Sequence, residues 1–500
     1  MIQVTKTQKS SITLTLLLIV LSLVLPSNTL IQSADFAFFD WQSKQLSPQL
    51  IADKDIIVIA IDDYSLEQMT PIAGRWVWPR TVHGQIIESL NQQSIKAIAF
   101  DILFAEQDIY RPDADDYFNE VLNETNHVFF ATLEQKVTND GGILLSKYPK
   151  QLGLIRTPLA NEATKSSFLL PTAINQKNWQ LGTINFESDF DGIGRNYDIY
   201  RELSGWQMPS LPSKIINFLK LPTSKQQKIK LQWHGNTEQP YKTISFYDVY
   251  QAVNQNDADF LTQFTDKIIL IGATASGLYD ARATPINHHL PGVYMLATAV
   301  DNLKNQSYLS PIGYPIQAFV TVFIIIIIAS CFITNKSYQK MMITSLAAMI
   351  MVSSTLIIGS YQLLQQQQLF WLGSAFSFMF ISCLLFALIY GYLEFKNRQQ
   401  TLSLFSRFLD PNVVSKLLKD DALSPEQLNK KQILTVLFSD IRGFTELAEK
   451  SEVEQVVKLL NQYLNKQVNI IFEHHGTLDK FIGDCIMAFW GAPISQQEHA

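Results

Sequence analysis

The chain has 500 residues, of which 47% are hydrophobic and 17% charged, and its net charge is −6. The length exceeds that of a single domain, and the low charged fraction is typical of membrane proteins. The acidic balance, with a pI near 5.8, argues against a general nucleic-acid binder, so no nucleic-acid partner is expected. The three cysteines, Cys331, Cys383 and Cys485, leave residues 32–314 without a disulfide framework.

The N-terminal segment is apolar after a short basic stretch. Residues 1–10 contain Lys6 and Lys9, and an apolar run follows over residues 12–31. A cleaved signal peptide is the alternative interpretation, but no small-x-small cleavage pattern follows the run cleanly. We therefore predict a cytoplasmic N-terminus at residues 1–10 and an uncleaved transmembrane helix at residues 11–31.

Residues 32–314 alternate between predicted strands and helices, which favours a largely parallel sheet with flanking helices. A helix is predicted over residues 83–92, and strands over residues 56–61, 95–100, 128–133, 228–233 and 267–271. Asp62, Asp63 and Asp101 follow strands at the edge where such sheets bind ligands, although we favour their being helix caps or loop residues. Residues 272–277 (GATASG) lack the lysine of a phosphate-binding loop and are predicted to be an ordinary loop.

Several motifs in this region resemble the CHASE2 family of extracytoplasmic sensor domains. They are residues 56–65 (IIVIAIDDYS), 76–83 (WVWPRTVH), 97–104 (AIAFDILF), 189–195 (DFDGIGR), 270–285 and 291–293 (PGV). The chain departs from the family at Leu296, where a histidine is expected. The resemblance implies an extracytoplasmic α/β sensor domain over residues 32–314 with an unknown extracytoplasmic ligand.

Three further apolar runs, at residues 315–334, 341–361 and 369–393, each have the length that crosses a bilayer. With the first run they make four transmembrane helices in contact with membrane lipid. The basic flanks, Lys6, Lys9, Lys336, Lys340 and the Lys396–Arg398 pair, all fall on one side if the helices alternate. By the positive-inside rule the N-terminus and residues 394–500 are cytoplasmic in a multi-pass inner (plasma) membrane protein.

Residues 394–432 connect the last span to the C-terminal region. Their apolar spacing suggests short amphipathic helices that are broken at residues 410–411 (Asp-Pro). We interpret this segment as a helical transducer linker, which pairs with its twin and carries rotation or spacing from the membrane to the domain beyond.

The C-terminal region places two aspartates in matched positions. An apolar strand at residues 433–438 leads into Asp440, a helix over residues 452–472 ends near Gly476, and strands at residues 477–481 and 485–490 are joined by a turn at Gly483 and Asp484. Pairing of the first strand with this hairpin would bring Asp440 and Asp484 together. Two adjacent carboxylates repel each other, and divalent cations such as Mg²⁺ relieve that repulsion.

Residues 438–445 (FSDIRGFT) and 478–493 (LDKFIGDCIMAFWGAP) resemble the metal-binding signature of class III nucleotide cyclases. That family makes a 3′,5′-cyclic nucleotide and pyrophosphate from a nucleoside triphosphate on a ferredoxin-like α+β domain. The resemblance implies that Asp440, Asp484 and the Ile441 carbonyl hold two Mg²⁺ ions, with Mn²⁺ as an alternative. It also implies that the backbone at Phe444 and Thr445 binds the triphosphate, and that the domain works as a homodimer.

Lys480 indicates which base is bound. In the resembling family a lysine four residues before the second aspartate goes with adenine, and a glutamate goes with guanine. An ammonium group only donates hydrogen bonds, and adenine N1 accepts one. The substrate expected is therefore ATP. A guanylate cyclase, a catalytically inactive receptor that binds nucleotide or partners, and a membrane sensor that ends at Ala500 remain as alternatives.

The predicted fold class is a multidomain α/β membrane protein with an extracytoplasmic sensor domain, four transmembrane helices and a partial α+β ferredoxin-like cyclase domain. Residues 433–500 would form the N-terminal half of that cyclase domain. Since the family's remaining base-binding and transition-state residues have no counterpart before Ala500, we expect the 500-residue chain to be part of a longer protein and inactive alone.

Overall fold

The computed structural model describes residues 6–25, 28–135, 142–224, 226–278, 281–335, 337–405, 433–492, 496 and 499. The chain divides into two compact units: Met1–Ile333 with Thr344–Cys383, and Thr334–Ile343 with Leu384–Ala500. The predicted linker at residues 394–432 lies outside the described residues from residue 406 onward.

The helices are α1 (Lys6–Val24), α2 (Thr29–Leu46), α3 (Asp63–Ala73), α4 (Arg80–Asn91), α5 (Pro112–Asn123), α6 (Pro149–Leu152), α7 (Leu211–Phe218), α8 (Phe246–Asn254), α9 (Ala258–Leu261), α10 (Gly292–Asn305), α11 (Tyr314–Thr334), α12 (Tyr338–Gln365), α13 (Leu372–Phe405), α14 (Phe444–Lys450) and α15 (Val453–Glu473). The strands are β1 (Ile56–Ile61), β2 (Ala97–Asp101), β3 (Val128–Gln135), β4 (Ile143–Leu144), β5 (Ile155–Arg156), β6 (Lys165–Leu169), β7 (Leu181–Thr183), β8 (Asn196–Asp198), β9 (Tyr200–Leu203), β10 (Trp206–Pro209), β11 (Lys228–Lys230), β12 (Lys242–Ser245), β13 (Ile268–Ala273), β14 (Ala281–Arg282), β15 (Leu290–Pro291), β16 (Ser310–Pro311), β17 (Gln368–Leu369), β18 (Thr435–Ser439), β19 (Thr477–Ile482) and β20 (Cys485–Trp490).

The first unit is built on one large sheet, with the strand order β12-β1-β13-β2-β3-β6-β4 and with β7 also paired to β3. The pairings from β12 to β3, and that of β7, are parallel, whereas those of β6 are antiparallel. The prediction of a largely parallel sheet is therefore confirmed. A strand does form within residues 228–233, but its predicted membership of the large sheet is wrong. This strand, β11, pairs antiparallel with β8 in a separate two-stranded sheet.

Apolar cores cover both faces of the large sheet, as an all-apolar strand such as β1 requires. Alternate residues of β1 point to opposite faces: Ile57, Ile59 and Ile61 pack with α4, α5 and α8, whereas Ile56 and Val58 pack with α7 and α10. Because helices cover both faces of the sheet, the polar residues lie at the ends of the strands.

The acidic residues at the carboxyl ends of the strands have structural partners. Asp62 is the N-cap of α3 and accepts hydrogen bonds from the Ser65 N–H at 2.7 Å and from the Ser245 hydroxyl at 2.9 Å. Asp63 accepts a hydrogen bond from the Ser276 hydroxyl at 3.1 Å. The interpretation of Asp62 as a helix cap is confirmed.

A buried arginine holds α2 against the sheet domain. The Arg195 side chain is fully buried and pairs with Asp40 of α2 at 2.6 Å, and with Asp189 and Asp191 at 3.0 and 2.7 Å. Its guanidinium also lies 4.1 Å from the ring centroid of Phe36 on the same helix. Breaking such a pair would leave a buried charge uncompensated, which typically costs about 3–5 kcal/mol.

Among the residues that the structure describes, three helices are long and apolar enough to cross a bilayer: α11, α12 and residues Leu372–Gln400 of α13. The predicted first span differs, because the helix ends at Val24 and the chain bends by 73° into α2. Only if this bent pair counts as one span does the structure have the predicted four. The last span begins at Leu372 rather than at residue 369, since Leu369 pairs with Pro311 in a short parallel ladder.

The second unit contains the predicted order of strand, helix and hairpin. Its strands form one antiparallel sheet in the order β18-β20-β19, with α15 between β18 and β19 in sequence. One detail of the sequence interpretation is wrong: the left-handed residue that ends α15 is His475, with φ +58°, and not Gly476. Gly476 serves close packing instead, since a Cβ there would lie 2.7 Å from Ile471 and from the Trp490 ring.

Candidate active site

The sheet register places the two predicted metal-binding aspartates at the same end of neighbouring strands. Ser439, the last residue of β18, pairs with Ile486 of β20. Asp440 follows Ser439, and Asp484 precedes Cys485, the first residue of β20. Continuing the antiparallel register by one pair sets Asp440 opposite Cys485, which is the residue after Asp484, so both aspartates lie at the same end of the sheet.

A tight turn presents Asp484. Ile482 of β19 pairs with Cys485 of β20, so Gly483 and Asp484 form a two-residue hairpin loop. Gly483 has φ +66°, whereas Asp484 is not among the residues with positive φ, a combination that fits a type II′ turn. A side chain at position 483 would be strained, because L-residues rarely adopt such a φ. Asp484 is half-buried and Asp440 is exposed.

The loop after Asp440 leads into α14. Gly443, with φ +78°, precedes the helix, and its carbonyl accepts a hydrogen bond from the Leu447 N–H at 3.1 Å. The Phe444 N–H already donates to the Ile441 carbonyl at 3.3 Å. Since the first amides of a helix lack intrahelical acceptors, the Thr445 N–H is better placed than that of Phe444 to bind a phosphate oxygen. The Ile441 carbonyl keeps a second lone pair for a cation.

Lys480 lies on β19, which is separated from β18 by β20. It pairs with Met487, is exposed, and its ammonium forms an ion pair with the neighbouring Asp479 at 3.1 Å. The structure thus brings Asp440, Asp484, Ile441 and Thr445 to one end of the sheet, and it places Lys480 three residues before Gly483 of the hairpin turn, across β20 from β18.

Tyr463 is a further residue of this site that its sequence context did not reveal. Its hydroxyl lies 3.5 Å from the Ser439 hydroxyl and accepts a hydrogen bond from the Gln467 side chain at 3.0 Å. These contacts connect α15 to the last residue of β18, immediately before Asp440. The i, i+4 spacing of Tyr463 and Gln467 was the available signal, but such pairs are common on helix surfaces.

The donor set at this end of the sheet fits a hard divalent cation. Two carboxylates with a backbone carbonyl match the few protein oxygens that Mg²⁺ takes when water and phosphate complete its shell. Within the part of the chain that the structure describes, no three His, Cys, Asp or Glu side chains form a metal cluster. The set is therefore that of a cation shared with a substrate, not that of a closed structural metal site.

Comparison with known families accounts for most of the chain. The family model of the CHASE2 domain matches residues 13–334, which is more than half of the sequence. The chain belongs to the CHASE2 domain family. A second family model, described as "Adenylate and Guanylate cyclase catalytic domain", matches residues 426–500. This CHASE2 protein therefore combines its sensor domain with a cyclase catalytic region that contains Asp440 and Asp484, and it is a membrane protein.

Similar proteins match the C-terminal region. Adenylate cyclase 1 of Rhizobium meliloti is 36% identical over 70 residues, which cover 14% of this chain and 10% of that protein. An adenylate cyclase of Anabaena cylindrica is 31% identical over 105 residues, covering 20% of each. A crystal structure of the adenylyl cyclase CyaB from P. aeruginosa is 54% identical, covers 13% of this chain and 34% of its own, and has a TM-score of 0.13. The chain spans only about a tenth to a fifth of the length of these curated relatives.

Proposed function

We propose that this CHASE2 protein is a membrane-bound adenylate cyclase, which converts ATP to 3′,5′-cyclic AMP and pyrophosphate under the control of its extracytoplasmic sensor domain. One observation supports the proposal: the β18–β20 register brings Asp440 and Asp484 to the same end of neighbouring strands. Both aspartates lie in the segment that matches the cyclase catalytic family, and adenylate cyclases are among the similar proteins.

The cations proposed for this site are two Mg²⁺ ions. Asp440 and Asp484 would hold them, with the Ile441 carbonyl as a further ligand. When bound, such ions promote attack of the ribose 3′-hydroxyl on the α-phosphate and stabilise the leaving pyrophosphate. The fit rests on the hard oxygen donors at this end of the sheet and on the mutual repulsion of two carboxylates that have no cation between them.

The chain's own residues would position the triphosphate. Backbone N–H groups of a glycine loop and of a first helical turn bind phosphate oxygens, and the turn at Gly443 with the Thr445 N–H supplies them. Lys480 would donate a hydrogen bond to adenine. Because it lies on β19, away from Asp440, we propose that it serves the metal site of a second copy of the chain.

Exposed apolar side chains support such a homodimer. Val453 and Val457, on the apolar face of α15, are 77% and 50% exposed, and Phe438 of β18 is 60% exposed. Farther along the same helix, Ile471 is buried against the hairpin. Large apolar side chains that the described part of the chain leaves in contact with water mark an interaction surface. We assign this surface to contact between two cyclase domains.

The test is cyclic AMP formation from ATP and Mg²⁺ by membranes that contain the protein expressed from its natural coding region. Asp440→Asn and Asp484→Asn each keep the shape of the side chain and remove its charge. We expect each to lower the rate at least about a hundredfold, since loss of even outer-shell metal partners typically costs 10–100-fold.

Glu473→Gln, an exposed charge removal at the end of α15, is the matched control and should leave the rate unchanged. An Asp440→Asn protein that keeps its Mg²⁺-dependent rate within about threefold of the wild type would overturn the assignment.

A further inference from the structure

A cavity of about 590 Å³ lies within the N-terminal unit, between the end of α1, the first turns of α2 and the starts of α11 and α13. These are the ends through which the apolar helices join the sheet domain. Apolar side chains such as Phe36 and Trp371 form much of the lining, and the carboxylate of Asp35 is the only charged group among its described residues. The volume is in the range of small-ligand sites.

Asp35 is held in place by the start of α13. Its Oδ1 atom accepts hydrogen bonds from the Gly373 N–H at 2.6 Å and from the Ser374 N–H at 3.2 Å. A Cβ at position 373 would lie 2.3 Å from the backbone nitrogen of Asp35, so α2 and α13 approach as closely as glycine permits. The position of the carboxylate is therefore set by backbone, not by a flexible side-chain partner.

The second oxygen of Asp35 has no such partner. The residue is only 8% exposed, yet Oδ2 has neither a hydrogen bond nor a basic side chain among the residues that the structure describes. Two amides and a helix dipole stabilise one side of the group. A largely buried carboxylate is stabilised by a nearby cation, so the free oxygen is a binding point for a cation.

The other polar groups of the cavity present acceptors. Tyr314 donates its hydroxyl hydrogen to the Leu23 carbonyl at 2.6 Å, and the Gln317 amide N–H donates to the Ile312 carbonyl at 2.8 Å. Thr321 donates to the Gln317 carbonyl at 3.0 Å. The Tyr314 and Thr321 hydroxyl oxygens keep lone pairs, and Gln317 keeps its side-chain oxygen together with one N–H, so the lining offers several acceptors to a group rich in N–H donors.

We propose that this cavity binds a primary ammonium group carried on an apolar chain. The ammonium would pair with Asp35 Oδ2 and donate to the side-chain oxygen of Gln317, and the apolar chain would pack against Phe36 and Trp371. A lipid with an ethanolamine head group and a free alkylamine both have this chemistry. The inference does not depend on the proposed cyclase activity, since it concerns only the N-terminal unit.

The experiment uses the 500-residue chain in phosphatidylcholine nanodiscs. Phosphatidylethanolamine is added to one set and decylammonium to another, and retained molecules are counted by native mass spectrometry. Decyltrimethylammonium, which has no N–H, is the comparison for decylammonium. Retention of phosphatidylethanolamine identifies a lipid as the source, and retention of decylammonium alone identifies a free amphiphile.

Two variants test the site independently. Asp35→Asn keeps an oxygen for the Gly373 and Ser374 amides and removes the charge, and Ala318→Phe fills the cavity without touching Asp35. Each should lower affinity for the ammonium compounds at least about tenfold, whereas the exposed Asp116→Asn should not. Equal retention of ammonium and trimethylammonium compounds, or unchanged binding in both variants, overturns the proposal.

Discussion

Lys480 is the residue on which the choice between ATP and GTP rests in the proposed reaction. Its ammonium group only donates hydrogen bonds, and a carboxylate at this position would accept them from guanine. An unmatched buried polar group costs roughly 1–3 kcal/mol, so one side chain can change the preference by about tenfold or more.

We expect Lys480→Glu to lower the ratio of the kcat/KM for ATP to that for GTP by at least about tenfold. Lys458→Glu makes the same charge change on the exposed surface of α15 and should leave the ratio as it is. The measurement is kcat/KM of each variant and of the wild type with ATP and with GTP. An unchanged ratio in Lys480→Glu would show that another residue selects the base.

His83 links the stability of the sheet domain to pH. The side chain is 1% exposed and is surrounded by the rings of Trp78, Phe100, Phe104 and Phe246. This burial, with a smaller contribution from Arg80, lowers its pKa to about 3. Because the unfolded chain binds a proton near pH 6.5 and the folded chain does not, stability is full above that pH and falls as the pH decreases.

Between pH 6.5 and pH 4, the melting temperature of His83→Leu should therefore fall less than that of the wild type. Thermal unfolding of the detergent-solubilised chain, followed by tryptophan fluorescence, measures the difference. His289→Gln removes an exposed histidine and is the control. If melting temperature plotted against pH gave parallel curves for wild type and His83→Leu, His83 would not contribute to the pH dependence of stability.

Among single residues, the site aspartates were accessible to sequence reasoning because their contexts are local. Asp440 ends an apolar strand and Asp484 lies in a Gly-Asp turn, and both patterns span only a few residues. The contacts of Tyr463 with Ser439 and of Arg195 with Asp40 were not identified, because these partners come from elements distant in sequence. Arg195 pairs with Asp40, 155 residues away, and no periodicity in the chain connects the two.

At the scale of elements, α13 is the helix that leads from the apolar spans toward the cyclase region. It runs without interruption from Leu372 to Phe405, past the predicted end of the span and through Lys396 and Arg398. A continuous helix transmits rotation, because each added residue turns everything beyond it by about 100°. This is the physical basis of the transducer hypothesis for residues 394–432.

Insertions after Arg398 test that hypothesis by helical phase. Two alanines rotate the following segment by about 200°, and four alanines by about 40°. We expect the two-residue insertion to change the rate of cyclic AMP formation several-fold and the four-residue insertion to change it little. Equal rates in both variants and in the wild type would mean that α13 does not couple rotation to the active site.

The positions of helices and strands were predicted well where the hydrophobic pattern is strong, and less well at the ends of these elements. β1, α11 and β20 fall within one residue of their predicted bounds, since long apolar runs are flanked by polar residues. The start of the last span was displaced by the pairing of Leu369 with Pro311. The strand predicted at residues 228–233 joined a different sheet, because a strand's pattern does not specify its neighbour.

At the scale of the whole molecule, the predicted orientation separates the sensor domain from the catalytic region by the membrane. Basic residues beside the spans predict this orientation, because such residues are enriched on the cytoplasmic side of a membrane. The orientation can be tested in a cysteine-free background, in which Cys331, Cys383 and Cys485 are replaced, by placing single cysteines at the exposed positions Glu238 and Lys458.

A membrane-impermeant maleimide should label Glu238→Cys on cells whose outer membrane has been permeabilised. It should label Lys458→Cys only after the inner membrane is disrupted. The ratio of labelling before and after disruption is the measurement, and a permeant maleimide controls for reactivity. Labelling of Lys458→Cys from outside would reverse the predicted topology and separate the catalytic region from cytoplasmic ATP.

The amino-acid sequence by itself determined that the chain is a membrane protein and that its sensor domain has a parallel sheet, and it predicted the pair of aspartates, because each depends on local hydrophobic periodicity or on a short motif. Only the tertiary structure decided which strands are neighbours, how Arg195 and Asp35 hold α2, and that a cavity with a free carboxylate oxygen lies beside them. These features depend on contacts between segments far apart in the chain, and such contacts form only when the packing of whole elements places the side chains within reach of each other.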